Sequence, residues 1–207
     1  MQTTPGTSLS DAETDEPPLS RKRGIRKCAA VALVAFLLDQ GTKWWAERAL
    51  VNGRPRAFVG DLLQFRLTYN PGAAFSVGTG YTIVLTCIAL AVIVIVVSMA
   101  GRIRSAWWAV ALGLLLGGAL GNVTDRLFRP PAPFRGHVVD FLELPYWPVF
   151  NVADSAISVA AVLFIGLSLR GVRLDGSRET LRTSSVDGQL TVERSATDDG
   201  EPTDGAR

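Results

Sequence analysis

The stretch YTIVLTCIALAVIVIVVSMA, Tyr81–Ala100, decides the fold class because none of its twenty residues is charged. The hydrocarbon core of a bilayer is about 30 Å thick, and a helix needs about 20 apolar residues to cross it. A helix of a soluble bundle would instead carry a polar stripe along one face, which this stretch lacks. The stretch therefore predicts a helix that spans a membrane.

Three further apolar segments lie on either side of this stretch. They cover residues 28–50, 105–123 and 149–169, and Asp39 and Lys43 interrupt the second half of the first one. Each segment is long enough to cross a bilayer. The predicted fold class is therefore an all-α membrane protein with four transmembrane helices.

The charge distribution supports this class. The chain has 207 residues, of which 48% are hydrophobic, and a formal net charge of +2. Only seven of its 19 Asp and Glu residues fall within residues 28–169, so the middle of the chain is much more apolar than the average. This pattern argues against a soluble protein. A charge of +2 supplies no dominant positive field, so no nucleic-acid partner is expected.

The polar ends of the chain set the predicted domain organisation. Residues 1–25 are predicted to be a disordered cytoplasmic extension and residues 171–207 a disordered cytoplasmic tail, because both are rich in polar and acidic residues. The basic residues before the first apolar segment place the N-terminus in the cytoplasm. Four spans return the C-terminus to the same side, so residues 26–170 form the membrane domain, with outer loops at 51–80 and 127–148.

The outer loops contain two candidate strands. Apolar and polar residues alternate from Leu63 to Tyr69, a period of two that predicts a half-buried strand. The segment GHVVDFLEL, residues 136–144, predicts a second short strand. We therefore expect a small β element on the outer surface of the membrane.

Charged and small residues inside the spans predict specific contacts. Asp39 and Lys43 are four residues apart on one helical face, so they are expected to neutralise each other. Gly113, Gly117 and Gly121 also repeat every four residues and predict a stripe for close helix packing.

Polar residues also gather near the outer end of the third span. Asn122, Asp125 and Arg126 share one helical face. The neighbouring Arg is expected to favour the ionised form of Asp125, which suits a fixed scaffold better than a proton shuttle.

Two other carboxylates are candidates for acid–base chemistry. Asp140 follows in the outer loop, and Asp154 lies with Asn151 at the start of the fourth span, without a cationic neighbour in the sequence. Two carboxylates that share one proton can hold and activate a water molecule. The spacing leaves open a structural alternative, in which Asp140 accepts an interfacial salt bridge and Asp154 caps a helix.

Other catalytic sets are less complete. His137 is the only histidine, so a metal site with two histidine ligands cannot form. The sequence has no GxSxG motif for a serine nucleophile. A pair of carboxylates remains the best candidate.

Five sequence blocks together resemble the lipoprotein signal peptidases, also called signal peptidase II. In chain order they are LDQGTKW (38–44), NPGAAFS (70–76), GGALGNVTDR (117–126), VVDF (138–141) and FNVADSAI (150–157). The resemblance implies a membrane aspartic endopeptidase that removes signal peptides from prolipoproteins immediately before the diacylglyceryl-modified lipobox cysteine. It also implies a β-cradle at the outer face and inhibition by globomycin-type cyclic peptides.

The resemblance also assigns residue roles. The catalytic pair falls on Asp140 and Asp154. Substrate binding and support fall on the remaining polar positions and one glycine, namely Asn70, Gly72, Asn122, Asp125, Arg126, Asn151, Asp39 and Lys43. No metal or cofactor is implied. The expected partners are diacylglyceryl prolipoproteins and membrane lipid, and the expected location is the bacterial cytoplasmic membrane, with a monomer whose active site opens at the outer face.

A different class of function is a small proton-coupled carrier in which Asp39, Asp125 and Asp154 relay protons, since charged residues within spans often serve transport. Four spans without broken helices or an internal repeat make a poor transporter. The peptidase interpretation is therefore preferred.

Overall fold

The computed structural model describes residues 18–51, 54–72, 82–178, 180–186 and 189–195, with side chains described as far as residue 178. Four helices form the core of the fold: α1 (Arg21–Ala49), α2 (Thr82–Met99), α3 (Ala106–Phe128) and α4 (Val152–Leu169). The expectations for residues 1–17, 73–81 and 196–207 lie outside the described residues.

The starts of helices α1 and α3 are set by capping side chains, which accept hydrogen bonds from the free backbone N–H groups of the first turn. Helix α1 begins after Ser20, whose side chain accepts from the backbone N–H of Arg23, so the helix starts before the predicted membrane domain. Helix α3 continues past its predicted end to Phe128. It stops before Pro130, which lacks the N–H that a continued helix requires.

Helix α3 is central and packs against α1, α2 and α4. Its glycines allow the close approach. A Cβ at Gly117 would lie 2.5 Å from the carbonyl oxygen of Ala32 in α1, and one at Gly118 would lie 2.6 Å from that of Ala153 in α4. Gly113 meets α1 in the same way as Gly117. The predicted small-residue stripe therefore packs helices together, as expected.

Among the described residues, three helices are long and apolar enough to cross a membrane, namely α2 with its following turn, α3 and α4. Large apolar side chains on their outer surfaces are exposed, including Ile88, Val94 and Val162. A surface of this kind suits lipid rather than water. Helix α1 falls outside this set. Its two buried charges, Asp39 and Lys43, face the other helices.

A three-stranded antiparallel sheet joins the two predicted outer loops. Its order is β1 (Arg56–Val59), β2 (Leu63–Asn70) and β3 (Val138–Glu143). The sequence predicted β2 and β3 closely but not β1. The four residues of β1 are all exposed, so this strand lacks the alternation of buried apolar and exposed polar residues that predicts a strand. In the β2–β3 register Asn70 pairs with Val138 and Thr68 with Asp140.

The opposite end of the bundle brings together both flanking segments and the α2–α3 connection. The N–H of Leu19 donates to the carbonyl of Arg104, and the N–H of Arg104 donates to that of Leu174. Further along the tail, β4 (Thr180–Val186) and β5 (Gln189–Ser195) pair as a two-stranded antiparallel sheet.

Candidate active site

Asp140 lies on β3 with 1% of its surface exposed. Its Oδ1 accepts from Asn151 Nδ2 at 2.6 Å, and its Oδ2 accepts from Asn70 Nδ2 at 2.9 Å. Burial raises the pKa of this carboxyl to about 7, and the nearby charge of Asp154 adds to the rise. Such a group exchanges a proton near neutral pH, as an acid–base catalyst must.

Asp154 lies in the first turn of α4 as part of a capping box. The side-chain oxygen of the N-cap residue, Asn151, accepts from the N–H of Asp154 at 2.9 Å, and the carboxylate of Asp154 accepts from the N–H of Asn151 at 3.3 Å. Its other oxygen accepts from Asn122 Nδ2 at 2.8 Å. Both oxygens of Asp154 therefore have hydrogen-bond donors, as both oxygens of Asp140 do.

One amide side chain joins the two acids. Asn151 donates to Asp140 through Nδ2 and accepts from the backbone of Asp154 through Oδ1. The same Nδ2 also donates to Asn122 Oδ1 at 3.2 Å. The structure therefore brings Asp140 and Asp154, fourteen residues apart in sequence, to one amide network.

Lys43 is the cationic centre beneath this network. Its fully buried Nζ lies 2.8 Å from Asp39 Oδ2 and 2.8 Å from Asp125 Oδ2, and it donates to Asn122 Oδ1 at 3.1 Å. Three acceptors match the three hydrogens of an ammonium group. The predicted Asp39–Lys43 pair is present, and the structure adds Asp125 as a second carboxylate.

Asp39 also links α1 to the start of α4. Its Oδ1 accepts from the backbone N–H of Ala153 at 2.9 Å, beside Asp154. A Cβ at Gly121 would lie only 2.4 Å from Asp39 Oδ2, so α3 carries glycine where this carboxylate lies. Asp39 thereby holds the helix end that presents Asp154.

Asp125 also pairs with Arg129, a contact that the sequence did not predict. Its Oδ1 accepts from Arg129 Nε at 2.6 Å, and Arg129 Nη1 lies 2.5 Å from Glu47 Oε1. Arg129 rather than Arg126 makes this direct ion pair, because residues four apart on a helix face each other. The i,i+4 spacing of Asp125 and Arg129 was the signal that could have found this pair.

Arg126 instead lies within electrostatic range of Asp140, Asp154 and Asp125. Only 9% of its surface is exposed, and its Nη1 is buried without a hydrogen-bond partner among the described residues. An unpaired buried donor is costly, so this nitrogen is suited to an incoming acceptor.

Gly72 orients Asn70. Its N–H donates to Asn70 Oδ1 at 2.8 Å, which leaves the Nδ2 of that amide to face Asp140. Gly72 has a φ of 117°, a backbone conformation that side chains other than that of glycine rarely allow. The predicted site residues on α1, β2, β3, α3 and α4 therefore meet in one place.

Within the part of the chain that the structure describes, no three His, Cys, Asp or Glu side chains are grouped so that they could hold a metal ion. What the site offers is one carboxyl with a pKa near neutrality, a second carboxylate beside it, and amide and guanidinium donors around them.

The fold and this site define a helical membrane enzyme. Two solved structures of a bacterial membrane enzyme, at 2.3 Å and 1.9 Å resolution, superpose with TM-scores of 0.62 and 0.61 and are each 26% identical. The matches cover 70% of this chain and 88% and 94% of the solved chains.

Sequence relatives give the family. The chain is 48% identical to the lipoprotein signal peptidase of Mycolicibacterium smegmatis over 83% of its length and 73% of that protein. It is 46% identical to that of Mycobacterium leprae, covering 81% and 82%, and 44% identical to that of Rhodococcus jostii, covering 84% and 90%. Residues 31–170 match the family described as Signal peptidase (SPase) II. The chain belongs to the signal peptidase II family, which confirms the resemblance of the five blocks and favours a peptidase over a carrier.

Proposed function

We propose that the protein removes signal peptides from prolipoproteins as an aspartic endopeptidase in which Asp140 and Asp154 are the catalytic pair. The observation that carries this proposal is the Asn151 side chain, which holds both acids in one hydrogen-bonded group. Two carboxyl groups in such a group can share a proton and act on one water molecule. The family match and the names of the relatives supply the reaction class.

The environments of the two acids differ, and this difference assigns which carboxyl group carries the proton at the start of the reaction. Asp140 is buried and has its pKa raised to about 7, so it supplies the proton. Asp154 is only partly buried and acts as the base. Environments that separate two carboxyl groups in this way give acid and base roles at one pH.

The reaction then proceeds in two proton-balanced steps. Asp154 takes a proton from water, the water oxygen attacks the scissile carbonyl carbon, and Asp140 gives its proton to the carbonyl oxygen. In the resulting gem-diol, Asp140 takes back a proton from one hydroxyl while Asp154 protonates the leaving nitrogen. The C–N bond breaks, leaving a carboxyl on the signal peptide and a free amine on the lipid-modified cysteine.

Substrate placement follows from the surroundings of the pair. The diacylglyceryl chains of the substrate remain in the bilayer and hold the scissile bond at the site, which makes attack effectively intramolecular. The unpaired Nη1 of Arg126 is suited to receive a substrate carbonyl oxygen. Asn122 keeps Asp154 oriented from α3.

We infer that α1 is the fourth membrane span. Its 29 residues measure about 43 Å at 1.5 Å per residue, more than a bilayer core. Its charged pair points to the other helices, while Leu33, Leu37 and Leu38 are exposed where lipid would lie. Both termini then face the cytoplasm, by the basic residues at that end, and the site opens at the outer face. All proposed catalytic groups come from one chain, so a monomer suffices.

The deciding experiment follows cleavage of a diacylglyceryl prolipoprotein by gel shift. Asp140→Asn and Asp154→Asn should each lower the rate by about 10³-fold or more, because neither step can be completed without both acids. Asp61→Asn, an exposed acid beside β2, serves as the matched control and should cleave at the wild-type rate. A globomycin-type peptide should block the wild type. Full activity in either catalytic variant would end the proposal.

A further inference from the structure

A chain of ion pairs that takes no part in the proposed proton transfers lies beside the catalytic pair. Glu47, near the end of α1, contacts Arg129 at 2.5 Å, and Arg129 contacts Asp125 of α3 at 2.6 Å. We call these three residues the Glu47 clamp. It joins the ends of two helices on the side where the sheet packs.

Both ends of the Glu47 clamp reach the sheet. Asp125 Oδ2 accepts from the backbone N–H of Val139 on β3 at 3.2 Å, and Glu47 Oε1 accepts from the hydroxyl of Tyr69 on β2 at 3.5 Å, a weaker contact. Val139 and Tyr69 are directly paired across the two strands. The clamp therefore holds one cross-strand pair from both sides.

The next residue on each strand belongs to the site. Asn70 follows Tyr69, Asp140 follows Val139, and Asn70 donates to Asp140 at 2.9 Å. A shift of the held pair moves this amide and this carboxyl together relative to Asp154, which sits on α4. An error of about 1 Å in such a placement is enough to slow an enzyme up to about a hundredfold.

We propose that Arg129 and Glu47 are positioning residues for signal-peptide cleavage, which set the β2–β3 pair so that Asp140 faces Asp154. This inference rests on the proposed function, because the geometry it maintains is that of the catalytic pair.

The side chains of Arg129 and Glu47 are better suited to positioning the strands than to neutralising a buried charge. Lys43 pairs with Asp125 through the other oxygen, Oδ2, so this carboxylate keeps a cationic contact when Arg129 is replaced. Arg129 uses two different nitrogens, Nε and Nη1, on two different carboxylates, a geometry that the single nitrogen of lysine cannot reproduce. Arg129 and Glu47 are 22% and 27% exposed, so their replacement leaves no fully buried charge at their own positions.

The test measures kcat and KM of the full chain in lipid with a diacylglyceryl prolipoprotein peptide. Arg129→Gln should lower kcat about tenfold while KM changes less than about twofold, because binding remains and only alignment is lost. Arg129→Lys should recover little of that loss. Glu47→Gln should lower kcat about threefold. The double variant should resemble Arg129→Gln alone, since Glu47 acts through Arg129.

Arg66→Gln is the matched control. It removes an ion pair on the same sheet, in which Arg66 Nη2 lies 3.0 Å from Glu143 Oε1, and it leaves the Glu47 clamp unchanged. Amide exchange at Val139 should rise in Arg129→Gln and not in Arg66→Gln. A wild-type kcat in Arg129→Gln, an equal loss in Arg129→Gln and Arg66→Gln, full rescue by Arg129→Lys, or additive effects in the double variant would each overturn the inference. These results are separate from those of the proposed function, which fails only if Asp140→Asn or Asp154→Asn remains active.

Discussion

Helices α1 and α3 meet along one interface by two different means. In the apolar half, around Cys28, Ala32, Gly113 and Gly117, glycines bring backbone against backbone. In the polar half, around Lys43, two carboxylates and an amide surround one ammonium group. Packing in the apolar half depends on side-chain volume, and packing in the polar half depends on charge. The two halves should therefore be destabilised by different kinds of substitution.

The largest expected effect tests the polar half. Lys43→Met keeps the length of the side chain but leaves Asp39 and Asp125 buried without their shared cation. We expect the free energy of unfolding to fall by about 3–5 kcal/mol, the usual cost of breaking a buried ion pair from one side. Denaturant unfolding in detergent measures it. Lys27→Met, exposed on the same helix, should change little. Near-equal free energies of unfolding for Lys43→Met and Lys27→Met would contradict the view that the polar half depends on charge.

A smaller loss is expected when volume is added to the apolar half. Gly117→Val places a side chain 2.5 Å from the backbone oxygen of Ala32, so α1 and α3 must separate. We expect about 1–3 kcal/mol of destabilisation, typical of overpacking. Gly166→Val is the control, because a Cβ there meets nothing within 4 Å. The comparison holds only if Gly117→Val costs clearly more than this control in a thermal melt.

The third expectation concerns pH and Asp140, which is linked to the polar half through Asn122 and Asn151. Because the pKa of Asp140 is raised to about 7, the folded state binds a proton that the unfolded state, with an ordinary Asp, has lost. The contribution of Asp140 to stability is therefore present below about pH 4 and is lost as the pH rises to about 7. Its slope is at most about 1.4 kcal/mol per pH unit.

Stability of the wild type and of Asp140→Asn, followed across this pH window, isolates that contribution. The variant should lose the downward slope, and Gly117→Val should keep it because its change lies in the other half. Parallel curves for wild type and Asp140→Asn would show that Asp140 does not retain its proton on folding.

The apolar half was the easier one to predict from the sequence. A bilayer span needs about twenty apolar residues, so the apolar segments 28–50 and 105–123 already predicted the two helices that meet there. The spacing of Gly113 and Gly117 indicated where α3 would approach another helix. Local periodicity was sufficient because each signal lies within one element.

The polar half could be predicted only where its contacts stay on one helix or within a family block. The Asp39–Lys43 pair came from i,i+4 spacing. The contact of Arg129 with Glu47 joins two segments that are far apart in sequence, and no local sequence pattern predicts such a contact. Strand β1 was missed because its pairing with β2, rather than its composition, makes it a strand.

The i,i+4 arrangement of Asp39 and Lys43 has a consequence for biogenesis. A ribosome makes the first helix before residues 125 and 153 exist, so at that stage Lys43 and Asp39 have only each other as charged partners among the described residues. A pair on one helix can neutralise itself during that interval. When the later helices are made, the same two side chains bind Asp125 of α3 and the backbone N–H of Ala153 in α4, so they link the helices in the order of translation.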